Sequence, residues 1–196
     1  MTQGENNLRV RRTQKLLREA LVDLIEERGF EALTVGEITD RAMISRATFY
    51  RNYQDKYDLV EQIFSEAMGT MFTAISEPGT EHPPAIWVKF FEHIAEYERL
   101  YRALLGRKGS SWFVLKMRSS MSELLKEYEK LPFHQSAIGS KNSPIKDDFL
   151  NDLVSTLLVE TIVWWLEKGK PYSPQVITTR CVSLVNAIFK ESISWE

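Results

Sequence analysis

The stretch Thr34–Leu59, TVGEITDRAMISRATFYRNYQDKYDL, decides how the rest of the chain is read. Thr34 and Glu37 form a T-x-x-E capping box, in which the hydroxyl takes a first-turn amide and the carboxylate reaches back. Ser45 offers a second N-cap, with Thr48 one turn on, and Asp55 a third just before Lys56. Ile38 and Ala42 recur at helical spacing, as do Phe49 and Tyr53, so each short segment has one apolar edge to bury. The spacing predicts helices over 35–42 and 46–53, a tight turn plugged by Ile44, and the start of a long helix at Lys56. That is a helix-turn-helix with its supporting helix.

If Phe49 and Tyr53 face inward, Arg46, Ala47, Thr48, Tyr50, Arg51 and Asn52 are left for outward or edge positions. A recognition helix reads bases mainly from its N-terminal part, in a DNA major groove. The planar fork of Arg46 suits guanine, and Ala47 with the Thr48 methyl suits a thymine methyl. Tyr50, Asn52 and Lys56 suit phosphates. The partner these residues imply is double-stranded DNA.

Working outward, residues 9–28 predict an amphipathic helix with the stripe Leu16, Leu17, Ala20, Leu21, Leu24 and Ile25. Gly29 supplies the left-handed position after it. Arg9, Arg11, Arg12, Lys15 and Arg18 crowd its first half, either as a solvated face or as phosphate contacts. The whole chain of 196 residues has a net charge of −2. Residues 1–57 hold ten Lys/Arg against nine Asp/Glu, and the remainder fifteen against eighteen, so a faintly basic head precedes an acidic body. The N-terminus has no signal-peptide pattern. No run is expected to reach the roughly 18 apolar residues of a membrane span, and the protein is expected to be cytoplasmic. A lone cysteine, Cys181, excludes an intrachain disulfide framework and fits a packed thiol in a reducing compartment.

Beyond Lys56 the pattern is helical throughout. Helices are predicted over 56–76, 85–105, 111–131, 145–168 and from Ser173-Pro174 to about Ile193. The breaks between them are EPGTEHPP (77–84), GRKGS (106–110), a polar loop (132–144) and Gly169 with Pro171. Ser143-Pro144 reads as the N-cap of the long apolar helix, with Asp147 and Asp148 suited to its first turn. The fold class is all-α: an N-terminal three-helix helix-turn-helix domain (1–56) and a C-terminal antiparallel helical bundle (57–196), about nine helices in all.

Segment 10–59 resembles the N-terminal domain of TetR-family transcriptional regulators. The matching elements are the first-helix stripe ending RGFEALTV, then EITDRAMISRATFYRNYQDKYDL, with Ser45, Thr48, Phe49, Tyr50, Tyr53, Lys56 and Leu59 in the family's places. The resemblance implies that Thr34 and Ser45 cap helices and offer hydroxyls to the duplex backbone. It implies that Arg46, Ala47 and Thr48 lie nearest the bases, and that Tyr50, Asn52 and Lys56 hold phosphates. One position departs: the turn residue usually filled by glycine is Met43. A positive φ there would cost methionine about 1 kcal/mol.

The last two helices are apolar on more than one face, so they must be buried. Leu158, Ile162, Trp165, Leu166, Val182, Val185, Ile188 and Phe189 are the expected contacts of a homodimer, as the resemblance also implies. Trp87, Phe90, Phe91, Tyr97, Trp112, Phe113, Met117, Met121 and Trp164 are either core or the lining of an effector pocket. The resemblance favours a pocket for a small apolar or aromatic effector. WWLEKGKPYSP resembles the subgroup that includes dihydroxyacetone kinase regulators. The function so implied is a DNA-binding regulator, in the first place a repressor, with no cofactor, metal or membrane partner. The rival is a helical adaptor or co-activator without effector control. An enzyme is disfavoured: His82, His93 and His134 form no triad or metal set, and there is no phosphate loop.

Overall fold

The computed structural model describes residues 3–75, 85–129 and 147–192. Among the described residues it contains nine α-helices and no strand. They are α1 (Gln3–Arg28), α2 (Val35–Arg41), α3 (Arg46–Tyr50), α4 (Lys56–Ile75), α5 (Ala85–Glu96), α6 (Glu98–Leu105), α7 (Ser111–Glu129), α8 (Asp148–Glu167) and α9 (Pro174–Ser192). The expected loops over 77–84 and 132–144, and the Ser143-Pro144 cap, lie outside the described residues. The described start of α8 is capped by Asp147, whose carboxylate accepts from the amides of Phe149 and Leu150 at 2.9 and 3.4 Å.

The chain forms two compact units. Met1–Ala67 and Arg99–Ser110 make the first; Met68–Glu98 and Ser111–Glu196 make the second. The single helix expected over 85–105 is therefore two helices, broken at Tyr97. The division falls one residue later, where neighbouring side chains choose different bodies. Glu98 pairs with Lys170 at 2.5 Å in the second unit, while Arg99 pairs with Asp23 and Glu26 of α1 at 2.7 and 2.6 Å in the first. Apolar spacing gives no sign of this break, because both halves are good helix sequence.

In the first unit Leu17, Ala20, Leu21, Leu24 and Ile25 of α1 are buried as expected, whereas Leu16 stays on the surface. Gly29 closes α1 at φ +85°, and Phe30 and Leu33 fold back into the core. The loop after α6 is stitched to this corner. The Phe30 amide donates to the Lys108 carbonyl at 2.9 Å, and Lys108 Nζ donates to the Glu26 carbonyl at 2.8 Å. Gly109 makes that turn feasible, since a Cβ there would lie 2.0 Å from the Leu104 carbonyl oxygen.

In the second unit α7 packs along α8 and α5 along α9. The core runs ring to ring: Trp87 meets Phe90, Phe90 meets Phe91, and Phe91 meets Trp165, with centroids 6.3, 6.0 and 5.4 Å apart. Such edge-to-face contacts add about 0.5–1.5 kcal/mol each beyond the area they bury. Trp165 is fully buried, and its indole N–H is satisfied by the Tyr172 carbonyl at 2.8 Å. Gly169 and Lys170, both at positive φ, turn the chain between α8 and α9. Contrary to expectation, α8 is long and apolar enough by length and composition to cross a membrane; the fold buries half of that window.

The turn between α2 and α3 settles the question raised by Met43. Its φ is +54°, the left-handed conformation that glycine adopts freely, and its side chain is 94% exposed. No packing offsets the strain. Met43→Gly should therefore raise stability by about 0.5–1 kcal/mol, the relief of strain outweighing the added freedom of the unfolded chain. Thermal unfolding followed by circular dichroism checks this; a lower melting temperature would contradict it.

Candidate nucleic-acid interface

Two short helices carry the interface, and side-chain caps hold both. At α2, Thr34 Oγ1 accepts from the Glu37 amide at 3.3 Å and donates to the Glu37 carboxylate at 2.8 Å. The Thr34 amide donates to the same carboxylate at 2.9 Å, completing the capping box. At α3, Ser45 Oγ accepts from the Thr48 amide at 3.1 Å and shares a hydrogen bond with Thr48 Oγ1 at 2.9 Å. One hydroxyl hydrogen of that pair remains free to turn outward. Asp55 caps α4, accepting from the Asp58 amide at 2.8 Å, and the Asp58 carboxylate accepts from the Gln54 amide at 2.8 Å.

These caps present one face of α3. Phe49 and Tyr53 are buried, with ring centroids 5.3 Å apart, and Tyr50 lies edge-on to Phe49 at 5.5 Å. On the other side Ser45, Arg46, Ala47, Tyr50, Arg51 and Asn52 are exposed and Thr48 is half-buried. The structure therefore leaves the expected residues of α3 and of the turn after it accessible, Thr48 in part. Arg46 and Arg51 have no carboxylate partner among the described residues, whereas Arg28 pairs with Glu37 and Arg41 with Glu27. The Arg46 guanidinium rests so near Gly36 that a Cβ there would lie 2.6 Å from Nη2. Asn52 Nδ2 is already donated to the Thr48 carbonyl at 2.9 Å.

Lys56 behaves differently from the expectation of a phosphate contact. It is 9% exposed, and its ammonium donates to the carbonyls of Phe30, Glu31 and Leu33 at 2.9, 3.0 and 3.0 Å. The Phe30 and Tyr57 rings flank it at 4.8 and 5.3 Å. An ammonium has three donors, and all three are used. Leaving a buried carbonyl without its partner costs about 1–3 kcal/mol, more than an exposed ion contact of roughly 0–1 kcal/mol returns. Its sequence signal, a Lys three residues after a buried Tyr, is the same for either role.

Residues 17–63 match the profile of bacterial regulatory proteins of the tetR family, and residues 81–187 that of a transcriptional regulator C-terminal region. The chain belongs to the TetR family of transcriptional regulators. An uncharacterized HTH-type regulator of Bacillus subtilis, YxbF, is 22% identical over 87% of the chain, which spans 44% of that protein's length. The fatty acid metabolism regulator protein of Bacillus subtilis is 22% identical over 85% of the chain and 90% of its own. The solved structure of the dihydroxyacetone kinase operon activator DhaS superposes with a TM-score of 0.60 at 19% identity, covering 91% of this chain and 96% of that one. At that identity the superposition speaks for the TetR fold alone.

The remaining expected sites sort by burial in the second unit. Trp87, Phe90, Phe91, Phe113, Met117 and Met121 are core, and Tyr97 and Trp112 are half-buried. Trp164 turns out to solvent, 42% exposed, and stacks on Tyr172 with centroids 6.1 Å apart. Of the expected dimer contacts, Leu158, Ile162, Trp165, Leu166 and Phe189 lie in the protomer's own core, and Val182, Val185 and Ile188 are half-buried. The outward apolar residues of α8 and α9 are instead Phe149, Leu153, Leu157, Trp164, Val176 and Leu184, at 37–64% exposure. Burial pushes the Cys181 thiol up to about 11, so it is neutral at physiological pH.

The capping box has a pH signature. Hydrogen bonds from the Thr34 amide, then the Thr34 hydroxyl, with Arg28 adding to them, hold the Glu37 carboxyl below its ordinary value of 4.5. A depressed carboxylate stabilises the fold above its unfolded value and stops doing so as pH falls through the folded one. Glu37→Gln should therefore lower the melting temperature at pH 7, and the gap to the parent chain should narrow as pH falls below the ordinary carboxylate value and through the lowered folded one. Paired melting curves across pH 3–7 test it; a gap independent of pH would argue against the box.

Proposed function

We propose that this TetR-family regulator binds an inverted-repeat operator as a homodimer and represses by occupying it, with a small-molecule effector releasing it. The observation that carries the reading is the exposed side of α3, with Arg46 and Arg51 lacking a carboxylate partner among the described residues and Phe49 and Tyr53 anchored behind it. Arg46 supplies a bidentate donor for guanine, and Ala47 and Thr48 supply apolar contact for thymine. Tyr50, Arg51 and the outward-turning hydroxyl of the Ser45–Thr48 pair serve phosphates. A regulator of this kind works in the bacterial cytoplasm, where the DNA is.

The dimer reading rests on α8 and α9. Leu157, Trp164 and Leu184 border a groove of about 300 Å³ that also includes Tyr172, Arg180 and Val185. The Arg180 guanidinium sits 4.0 Å from the Tyr172 ring centroid. A second copy of the same surface would cover the exposed leucines and tryptophan around a two-fold axis. Support for an effector comes from two buried donors without acceptors, Arg118 Nε on α7 and Asn151 Nδ2 on α8. Asn151 is 1% exposed and its Oδ1 already accepts from Ser155 at 3.2 Å. An effector with an apolar body and an acceptor group that reached Asn151 would satisfy its Nδ2.

Four measurements test this reading. In duplex-binding titrations, Arg46→Ala should relax preference at one base pair by about 1–3 kcal/mol, whereas Tyr50→Ala should weaken all sequences alike. Leu184→Glu should leave the helical spectrum unchanged but yield a monomer by analytical ultracentrifugation and bind the operator weakly; a dimer with full affinity would reject this interface. Asn151→Leu should stabilise the unliganded protein by about 1 kcal/mol, the orphaned donor being gone, and abolish release by effector. A reporter driven from the operator should fall on expression of the chain; a rise would favour activation.

A further inference from the structure

Lys56 joins three parts of the first unit that are far apart in sequence. It is the first residue of α4, and its ammonium ends among carbonyls of residues 30, 31 and 33, twenty-three or more positions earlier. Those residues lead directly into Thr34, the cap of α2, and α2 carries the turn that aims α3. The same loop is held a second time beside Lys56. Tyr57, the next residue of α4, donates its hydroxyl to Glu31 Oε2 at 3.0 Å. The entry to α4 and the entry to α2 are thus fastened at one point, and a displacement of the α4 first turn is a displacement of the helix-turn-helix frame.

We propose that Lys56 is a positioning residue for DNA recognition. It sets the orientation of α2 and α3 through the loop 30–33, and it contributes no charge to the phosphate backbone. The proposal rests on the DNA-binding reading of the α3 face and concerns how that face is aimed. The cradle is specific for an ammonium. Three carbonyls converge on one small nitrogen, and a planar guanidinium with its donors in a fixed fork does not match that arrangement. A phosphate contact would have the opposite preference, since arginine serves phosphate at least as well as lysine.

The test compares the parent chain with Lys56→Met and Lys56→Arg in titrations of operator and random duplex over a series of salt concentrations. Each phosphate neutralised contributes about 0.9 to the slope of log affinity against log salt. Both variants should lose about tenfold or more in operator affinity while the slope stays at the parent value. Equal binding by Lys56→Arg and parent, a slope smaller by about 0.9 per head in Lys56→Met, or unchanged affinity in both variants would overturn the proposal. Should a variant fail to fold, amine acylation of the parent chain read by mass spectrometry decides. Lys56 should resist the reagent with and without duplex, while Lys15, whose side chain is 67% exposed, reacts. Rapid labelling of Lys56 in the free protein with protection by duplex would overturn it. Absence of any duplex binding by the parent, at low salt, would instead count against the DNA-binding reading, and the acylation result would still report on the cradle.

Discussion

Seven residues of α2 and five of α3 cannot hold themselves in helical form. Isolated helices shorter than about 12–15 residues are marginal in water, because one costly nucleus is spread over too few hydrogen bonds. Everything near the turn compensates for that shortness. Thr34, Ser45 and Asp55 each satisfy first-turn amides, and Ile38, Phe49 and Tyr53 bury one edge apiece. Lys56 gathers the carbonyls of the loop between α1 and α2. The positive φ of Met43 is the one place where the local chemistry opposes the turn.

The same economy governs charge. Arg28, Arg41 and Arg99 are engaged with α1 or α2 carboxylates, and Lys56 and Lys108 with backbone carbonyls. These cations fasten helices to one another. The exposed cations of α3 and its C-cap are Arg46 and Arg51. A reading helix so sparsely charged has a modest electrostatic hold on DNA, and the proposed dimer would recover affinity through effective concentration. This is the physical reason to test whether a second copy docks on the apolar surface of α8 and α9.

What could be read from residue order differs between the two units for a physical reason. Caps, glycine stops and one-sided apolar spacing are local, so α2 through α4, the end of α1 and the Gly29 and Gly169 turns are legible to within a few residues, whereas α1 begins six residues before the expected start at residue 9. On α8 the apolar residues run round the whole helix, and spacing alone does not mark which face is inside. Trp165 and Trp164 are neighbours, yet one is fully buried and the other 42% exposed. That choice is made by long-range packing against Phe91 and by the Tyr172 carbonyl. Lys56 is a parallel case: a lysine beside aromatic residues says that a cation is wanted, but its acceptors lie in a loop that only folding brings near. The break at Tyr97 is hidden because helix propensity is blind to which body each half joins.

The stitch between Lys108 and the corner at Glu26 and Phe30 also bears on synthesis. The donor and acceptor are separated by 82 positions. At a translation rate of about 5–20 residues per second, the first corner waits roughly 4–16 s for the segment that closes it. During that interval α1 has left the ribosome without Arg99 for its acidic residues or Lys108 for its final carbonyls. The first unit is thus completed late and by a returning segment. A gene fragment ending soon after α4 would encode the reading face without the strap that finishes its support.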